Sequence, residues 1–287
     1  MNRSTWLHLR IPFSFFLMPV YAFALSRHPH ATWADTLLLW SIWHLLVFPA
    51  SNGYNSYYDR DTESIGGLKN PPPVDRSLWW VSIGMDIAAI LLSLLLAIEL
   101  AVAVFVYGLA SKAYSHPAIR LKKNAIWSTA VTVLFQGAVT YWGCAWALGQ
   151  QVLYSPRSWA EGALASMLIL GAYPITQVYQ HREDARRGDR TLSLLLGIRG
   201  TFLFSATVFA MTGMGFVFYF YWTDALRYFG AFLICLLPIG LYFFHWARQV
   251  WRNPEAADFE RTMRLNQMSA GAMILFFMGV WLWERFQ

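Results

Sequence analysis

The sequence predicts an all-α protein that crosses a membrane many times, with its helices bundled around a central cavity. The first reason is composition: 57% of the 287 residues are hydrophobic and only 13% are charged, about half the charged fraction of a typical soluble domain. The second is that the apolar residues form long uninterrupted runs instead of amphipathic stripes. The lipid bilayer is therefore the predicted solvent of one transmembrane domain that covers residues 1–287.

Apolar runs of spanning length occur along the whole chain. Nine are predicted, at residues 11–25, 37–50, 78–97, 100–113, 125–148, 159–178, 201–222, 226–246 and 268–283. We separate the third run from the fourth at Glu99, because together they are far too long for one span. The first run also has features of a secretory signal, but we interpret it as a true first helix.

The distribution of Lys and Arg predicts the orientation of the chain, because cytoplasmic connections hold the excess of positive charge. All but four of the 22 cations fall on the N-terminus and on alternate connections. The other four are Arg27, Arg157, Arg227 and Arg285. We therefore expect a multi-pass protein of the inner cell membrane with a cytoplasmic N-terminus and an external C-terminus. Because the cations are spread over short loops, no nucleic-acid partner is predicted.

The predicted second span is followed by the first polar segment, residues 52–63. Asn55, Asp59 and Glu63 are four residues apart, and steps of four turn a helix by only about 40°. We therefore expect the three side chains to project from one helix face as an array of oxygen ligands. Asp61 points about 200° away from Asp59 and is interpreted as a solvated or structural charge.

The second polar segment, residues 177–191, follows the predicted sixth span, and in it Gln180 and Asp184 again lie four apart. The charge distribution places both polar segments on one side of the membrane, so they can face each other across a bundle cavity. Hard oxygen ligands without Cys or paired His favour Mg²⁺. The alternative is that both segments are ordinary solvated helix ends.

Cations on the same predicted face offer partners for phosphate oxygens. The connection between the predicted fourth and fifth spans carries Lys112, Arg120 and Lys122. The alternative is that these side chains only set the membrane topology.

The first polar segment resembles a motif of the UbiA superfamily of intramembrane prenyltransferases, whose members have nine helices and two Asp-rich motifs on cytoplasmic loops. The matching pattern is Asn55-x-x-x-Asp59-x-x-x-Glu63. Glu63 stands where Asp is usual, and Ser56 replaces a common Asp.

Two further stretches resemble the same superfamily in the same order along the chain. Gln180-x-x-x-Asp184, followed by residues 188–191 and 196–197, is similar to the second Asp-rich motif. Residues 114–122 are similar to the Tyr-Ser and Arg-Leu-Lys stretch after the fourth helix. Gln180 departs from the pattern, because a neutral amide can donate oxygen to a cation but adds no negative charge. A second metal would then be weakly held, or bound partly by Glu183.

The resemblance implies that the two motifs bind Mg²⁺ and the diphosphate of an isoprenyl donor, with catalytic roles for Asp59 and Asp184. The predicted metal ligands are Asn55, Asp59, Glu63, Gln180 and Asp184. The predicted diphosphate-binding residues are Lys112, Tyr114, Arg120, Lys122 and Arg60.

The function predicted from these residues is Mg²⁺-dependent ionisation of an isoprenyl diphosphate and transfer of the prenyl group to an aromatic or lipid acceptor. Aromatic faces could shield and stabilise the allylic cation. The candidates are Tyr107, Tyr114, Tyr141 and Trp142, although each of these rings also fits an ordinary core or interface position.

Two alternatives remain at the level of the sequence. The first is an intramembrane terpene cyclase that acts on the donor alone, as some members of the superfamily do. The second is a transporter or lipid-binding protein that is not an enzyme. Its main support is Asp86 within the predicted third span, where an ionisable group is costly unless it is paired or faces water. A satisfied structural carboxyl explains Asp86 equally well.

Overall fold

The computed structural model describes residues 2–287, and within this range the chain is helical with no β-strand. This confirms the predicted all-α class. The α-helices are α1 (Arg3–Leu9), α2 (Met18–Ser26), α3 (Trp33–Ser41), α4 (Phe48–Asp59), α5 (Ser77–Ser93), α6 (Ile98–Ser115), α7 (Ala125–Val133), α8 (Thr140–Ala147), α9 (Pro156–Ala172), α10 (His181–Arg187), α11 (Leu192–Trp222), α12 (Phe229–Arg252) and α13 (Phe259–Arg285).

Seven helical segments of residues 2–287 are long and apolar enough to cross a membrane. They are Arg3–Ser26, Trp33–Asp59, Ile98–Ser115, Pro156–Arg187, Leu192–Trp222, Leu226–Arg252 and Phe259–Arg285. α5 is apolar but shorter, and α7 and α8 together cover the predicted fifth run. Each predicted run therefore overlaps helix, whereas the predicted count of nine spans is not confirmed.

The predicted break between the third and fourth runs is present, but it lies before Glu99. α5 ends at Ser93 and α6 begins at Ile98. Glu99 lies in the first turn of α6, where a negative charge is favourable beside the positive end of the helix dipole. The sequence placed the break a few residues too late, because a charge in a helix N-terminal turn looks the same as a charge in a loop.

Several helices change their winding as they approach the centre of the bundle. π-helical turns occupy Ile42–Val47 and Leu134–Val139, and 3-10 turns occupy Ile11–Leu17 and Pro174–Gln180. Both 3-10 turns have a proline near their start, where the missing N–H is tolerated and the fixed φ is compatible with helix. π-turns are frequent at functional sites, and three of these four irregular turns, all except Ile42–Val47, supply residues to the cavities described below.

The core contains a cluster of aromatic rings around Phe23 of α2. The ring of Phe23 lies 5.0 Å from Tyr141, 5.3 Å from Phe216 and 4.8 Å from Phe277, measured between centroids. All four rings are buried, and α2 packs against α13 and α8. The first predicted run is thus an integral part of the bundle, as a true first helix requires.

The outer surface is strongly apolar. Large hydrophobic side chains are exposed on the long helices, among them Leu195, Phe218, Ile234, Leu241 and Phe244. Exposed apolar area of this extent is unfavourable in water but is expected where helices face lipid tails. The protein is therefore a membrane protein.

Candidate functional site

Three adjoining cavities lie among the helices. The apolar cavity, of about 450 Å³, is lined largely by aliphatic and aromatic residues, including Leu168, Phe209 and Phe216. The charged cavity, of about 160 Å³, borders both polar segments. The polar cavity, of about 170 Å³, lies between α6, α7 and the first polar segment. Tyr173 lines all three cavities.

The charged cavity brings together four of the predicted ligands. Asn55 and Asp59 of the first polar segment and Gln180 and Asp184 of the second all line it. The two segments are far apart in the sequence but meet across this cavity. Such a meeting is expected of two segments that are predicted to lie on the same side of the membrane. Within residues 2–287 no group of three or more His, Cys, Asp or Glu side chains is arranged to hold a metal ion.

The expectation that Glu63 shares a helix face with Asp59 is wrong, because α4 ends at Asp59. Arg60 adopts a left-handed conformation with φ 49°, and its N–H donates to the Ser56 carbonyl at 3.0 Å. Beyond this cap the chain is no longer helical, so a spacing of four residues no longer places two side chains on the same face. Glu63 instead forms a half-exposed ion pair with Arg186 and does not line the charged cavity.

Asp61, which was predicted to point away from Asp59, lines the charged cavity. Its carboxylate accepts a hydrogen bond from the Arg187 guanidinium at 2.5 Å. The same turn that removes Glu63 from the helix brings Asp61 to the charged cavity. Asp61 is therefore a part-buried, paired charge, which agrees with the structural interpretation and not with the solvated one.

The second polar segment is shaped by Tyr173, Pro174 and Gly188. α9 ends before Tyr173, and a 3-10 turn from Pro174 then leads into α10, with Gln180 at its N-cap. Gly188 closes α10 with φ 71°, a conformation that favours glycine. The returning chain places the Thr191 hydroxyl where it donates to Asp184 Oδ2 at 3.3 Å. The carboxylate of Asp184 is thereby oriented at the cavity wall.

Both predicted amide ligands use their N–H₂ groups within the protein. Asn55 Nδ2 donates to Ser115 Oγ at 3.1 Å, and Gln180 Nε2 donates to the Ser64 carbonyl at 3.3 Å. Each amide carbonyl oxygen is then left to accept from, or coordinate, something in the cavity. Asn55 and Gln180 are thus oriented as oxygen donors.

Two of the predicted cations meet Asp59. Lys122 pairs directly with Asp59, and Arg120 Nη1 lies 3.7 Å from Asp59 Oδ1. Arg120 also makes a bidentate pair with Asp189, at 3.1 and 2.9 Å, which fixes the plane of the guanidinium. Asp59 is only 5% exposed, and its Oδ1 atom is buried without a hydrogen-bond partner. One oxygen of this carboxylate therefore has unused capacity as an acceptor or ligand.

Lys112 and Arg60 are not brought to the charged cavity. Lys112 forms a part-buried ion pair with Asp86, so each group offsets the cost of burying the other. Arg60 is exposed at the helix cap. The pairing also gives Asp86 a structural role, and this removes the main feature that favoured a transporter.

Glu183, a possible additional metal ligand, is engaged in holding the first polar segment. Its carboxylate accepts from the backbone N–H of Glu63 at 3.1 Å and from Arg187 at 2.6 Å. These bonds attach the segment that comes after α4 to helix α10. Glu183 lines the charged cavity, but its oxygens already have partners.

Sequence analysis missed three residues of the site, namely Arg10, Tyr173 and Tyr179. The Arg10 guanidinium donates to the carbonyls of Gly66 and Asn52 at 3.2 and 3.3 Å, while its Nε atom is buried without a partner. The Tyr179 hydroxyl is likewise buried without a partner beside the charged cavity. Arg10 is one of the N-terminal cations that predict the topology, and the two tyrosines carry no sequence pattern that separates them from core residues.

Two of the four candidate aromatic side chains line one or more of these three cavities. Tyr107 lines the apolar and polar cavities, and Tyr114 lines the charged and polar cavities. The hydroxyls of Tyr114 and Tyr173 lie 2.9 Å apart. Tyr141 is a buried core residue that donates to Glu161, and Trp142 donates to the Ser158 carbonyl.

The donor set of the charged cavity fits Mg²⁺ that binds together with a phosphate group. Mg²⁺ commonly takes one or two carboxylates from a protein and completes its shell with water and substrate phosphate. The carboxylates of Asp59 and Asp184 and the amide oxygens of Asn55 and Gln180 match that requirement, and Asp59 Oδ1 has no hydrogen-bond partner. Neighbouring Lys122 and Arg187 supply positive charge for the phosphate oxygens.

Comparisons with solved structures find the same fold. A UbiA homologue from Archaeoglobus fulgidus bound to GPP and Mg²⁺ matches with a TM-score of 0.68 and 16% identity, over 96% of this chain and 99% of that one. The apo UbiA homologue from Aeropyrum pernix K1 matches with a TM-score of 0.63 and 18% identity, over 98% of both chains. A digeranylgeranylglyceryl phosphate synthase structure matches with a TM-score of 0.63 and 16% identity, over 97% of this chain and 98% of that one.

No curated protein matches the sequence. The sequence model of the UbiA prenyltransferase family matches residues 15–269, a range that includes both polar segments and most of the bundle. This confirms the resemblance seen in the motifs. The chain therefore belongs to the UbiA prenyltransferase family.

Proposed function

We propose that the protein is an Mg²⁺-dependent intramembrane prenyltransferase that moves the prenyl group of an allylic diphosphate to an acceptor. The observation that carries the proposal is the contact between two unlike cavities. The charged cavity contains the oxygen ligands and cations, and it shares Phe13, Tyr173 and Thr176 with the much larger apolar cavity. A molecule with a diphosphate head and a hydrocarbon tail fits this pair of environments.

The head group would be held by residues from both polar segments. Asn55, Asp59, Gln180 and Asp184 would hold Mg²⁺, which supplies charge neutralisation for the departing diphosphate. Lys122 would exchange its pair with Asp59 for the phosphate oxygens, while Asp189 keeps Arg120 in place. Glu63, Lys112 and Arg60 are not included, because the structure directs them elsewhere.

The chemistry needs few protein groups beyond these. The bond between C1 of the donor and the diphosphate oxygen breaks, and its electron pair leaves with the diphosphate. C1 then bonds to an electron-rich atom of the acceptor, which loses a proton to water. The protein's part is to hold the head group, shield C1 from water and present aromatic faces to the positive charge. Tyr173 and Tyr114 lie at the boundary between the charged cavity and its neighbours.

Two observations favour transfer over the alternatives. The polar cavity next to the charged one offers space for an acceptor, which a cyclase does not need. The pair between Asp86 and Lys112 explains the intramembrane carboxylate without an ion pathway. The A. fulgidus homologue solved with GPP and Mg²⁺ also supports a prenyl diphosphate as the donor.

The test is turnover of purified protein with Mg²⁺ and prenyl diphosphates of graded length, with and without an acceptor panel. Released diphosphate and organic products are both measured. We expect Mg²⁺-dependent diphosphate release, with an acceptor-dependent prenylated product. Cyclic products formed from donor alone would show a cyclase, and vesicle transport without diphosphate release would show a transporter.

A further inference from the structure

The outer face of α12 changes from apolar to basic along the helix. At 100° per residue, the side chains of Ile234, Leu237, Leu241, Arg248 and Arg252 fall within a sector of about 60°. The three apolar side chains are between 62% and 74% exposed, and both arginines are exposed. The buried residues of α12 lie on its other faces. This sector is therefore turned away from the bundle and toward lipid.

The spacing along this face matches one leaflet of a bilayer. Leu237 and Arg248 are separated by about 16 Å along the helix axis, and half of the hydrocarbon core of a bilayer measures roughly 15 Å. A phospholipid whose acyl chains lie on the apolar part of the face therefore has its phosphate at the level of Arg248 and Arg252. Trp251 is 48% exposed at the same level, where a tryptophan is favoured at the membrane interface.

A third arginine reaches the same place from the start of α11. Arg199 Nη2 donates to the Trp251 carbonyl at 2.8 Å, which is one of the last carbonyls of α12 and has no intrahelical partner. Because Trp251 precedes Arg252, this bond holds Arg199 against the basic end of α12. It uses one of the five N–H donors of the guanidinium, so the others are available to an anion. We call Arg199, Arg248 and Arg252 the arginine group.

The arginine group has no carboxylate partner within residues 2–287. The acids of the following connection are used elsewhere, because Asp258 pairs with Arg261 and Glu260 pairs with Lys69. Glu255 is exposed and forms no ion pair in the same range of residues. Three guanidinium groups without counter-charge, next to an apolar surface, favour an anion that also carries apolar chains. Guanidinium groups match the geometry of phosphate oxygens.

From this arrangement we propose that the arginine group and the adjoining apolar face of α12 form a binding site for a negatively charged phospholipid. The lipid belongs to the leaflet on the side of the two polar segments. The guanidinium groups hold its phosphate, Trp251 packs at the level of its glycerol group, and its acyl chains lie along Leu241 and Leu237. A zwitterionic lipid is bound less tightly, because its own cation lies beside the phosphate and is repelled by the arginines.

The first experiment measures the binding of two lipids with the same acyl chains to purified, delipidated protein in an uncharged detergent. The probes are dioleoyl phosphatidylglycerol and dioleoyl phosphatidylcholine, and native mass spectrometry gives their dissociation constants. We expect phosphatidylglycerol to bind at least several-fold more tightly. Arg248→Gln and Arg252→Gln should each weaken its binding about 5-fold and leave phosphatidylcholine binding unchanged.

Arg76→Gln is the matched control for the loss of one positive charge. Arg76 is exposed at the start of α5, and α5 packs against α4 and α6. Its substitution should leave both dissociation constants at the wild-type values. Equal binding of the two lipids by the wild-type protein would overturn the proposal. An equal loss of phosphatidylglycerol binding in Arg76→Gln and Arg248→Gln would also overturn it, because the attraction would then be that of the whole charged surface.

The second experiment separates a lipid from other anions. Glycerol 3-phosphate has the phosphate without acyl chains, and a hexaglutamate peptide represents an acidic protein segment. Neither compound should displace phosphatidylglycerol at a 100-fold molar excess. Displacement by glycerol 3-phosphate would indicate a site for soluble phosphate compounds, and displacement by the peptide would indicate a protein partner. Either displacement would contradict the lipid assignment.

The third experiment tests the same site by thermal unfolding. Phosphatidylglycerol should raise the Tm of the wild-type protein more than phosphatidylcholine does, since a ligand of the folded state stabilises it. The double variant Arg248→Gln with Arg252→Gln should lose this difference, while its Tm in phosphatidylcholine stays at the wild-type value. A double variant that keeps the full difference would overturn the proposal. None of the three experiments requires turnover, so they are independent of the proposed transferase activity.

Discussion

The bundle contains two clusters of buried charge, one around Asp59 and one around Glu161, and they differ in what they leave open. Glu161 is 1% exposed and accepts from Tyr141 at 2.7 Å, Tyr219 at 2.5 Å and Arg157 at 3.1 Å. Asp59 pairs with Lys122, has Arg120 Nη1 3.7 Å from its Oδ1 atom, and keeps that oxygen without a hydrogen bond. Both carboxylates are well buried, but Asp59 lines the charged cavity, whereas Glu161 lines none of the three cavities described above.

This difference suggests two uses of buried charge, a structural use in the Glu161 cluster and a binding use in the Asp59 cluster. A saturated carboxylate such as Glu161 joins helices and has little capacity for a ligand. A carboxylate with a free oxygen beside an exchangeable lysine can accept a cation or release its lysine to a phosphate. We therefore expect changes at Asp59 to affect chemistry and changes at Glu161 to affect stability.

The largest expected effect is at the two carboxylates of the charged cavity. Asp59→Ala and Asp184→Ala should each lower Mg²⁺-dependent diphosphate release by about 10²- to 10³-fold, because charge stabilisation at the leaving group is lost. The measurement is initial-rate diphosphate release at saturating Mg²⁺. Asp224→Asn is the control, since Asp224 is exposed outside the cavity. A wild-type rate of diphosphate release in Asp59→Ala would contradict the distinction between a binding role for Asp59 and a structural role for Glu161.

The next effect concerns the Glu161 cluster. Glu161→Gln should reduce the free energy of unfolding by on the order of 2 kcal/mol, because hydrogen bonds to a charged group are weakened. Thermal unfolding in detergent measures this loss, with Glu99→Gln as an exposed control. Diphosphate release per folded molecule should stay at the wild-type value. A loss of turnover without a loss of stability would show that Glu161 has a role in the chemistry.

Gln180 offers a further test of the comparison. Its neutral amide gives the charged cavity one negative charge fewer than a carboxylate at this position would give. Gln180→Glu keeps the length of the side chain and adds a negative charge beside Asp184. Since ligand charge strengthens cation binding, we expect a several-fold decrease in the Mg²⁺ concentration that gives half-maximal activity. Gln177→Glu, at a nearby position on the same cavity wall, is a comparison for added charge alone. Equal effects of both variants would argue against direct coordination by Gln180.

The smallest catalytic effect is expected at Lys112. Lys112→Met should leave the donor KM unchanged, because Lys112 pairs with Asp86 away from the charged cavity. It should instead destabilise the fold by leaving the Asp86 carboxylate without a partner, and the double variant with Asp86→Asn should recover stability. A large rise in donor KM for Lys112→Met would instead show that Lys112 belongs to the diphosphate-binding site.

The sequence predicts the broad architecture because hydrophobicity and positive charge follow the membrane directly. It also predicts Asn55, Asp59, Gln180 and Asp184 as ligands, and the structure brings these four residues together in the charged cavity. It is wrong about Glu63, because a single left-handed residue at Arg60 ends the helix. No local sequence pattern required that turn at Arg60.

The remaining site residues depend on tertiary structure. Tyr173 reaches the junction of the cavities because Pro174 changes the winding of the chain there. Arg10 becomes a cavity residue because α1 ends at a left-handed cap and the next turn changes direction. Neither residue differs in type from the many tyrosines and arginines that only pack or set topology.

The most direct test of the central claim is binding of inorganic pyrophosphate to the purified protein by titration calorimetry, with and without Mg²⁺. If the two polar segments form one site for a diphosphate and a divalent ion, pyrophosphate should bind much more tightly with Mg²⁺ present. Asp59→Asn and Asp184→Asn should each remove this gain, while Asp224→Asn should keep it. Pyrophosphate binding that is equal with and without Mg²⁺, or unaffected by the two cavity variants, would contradict the claim.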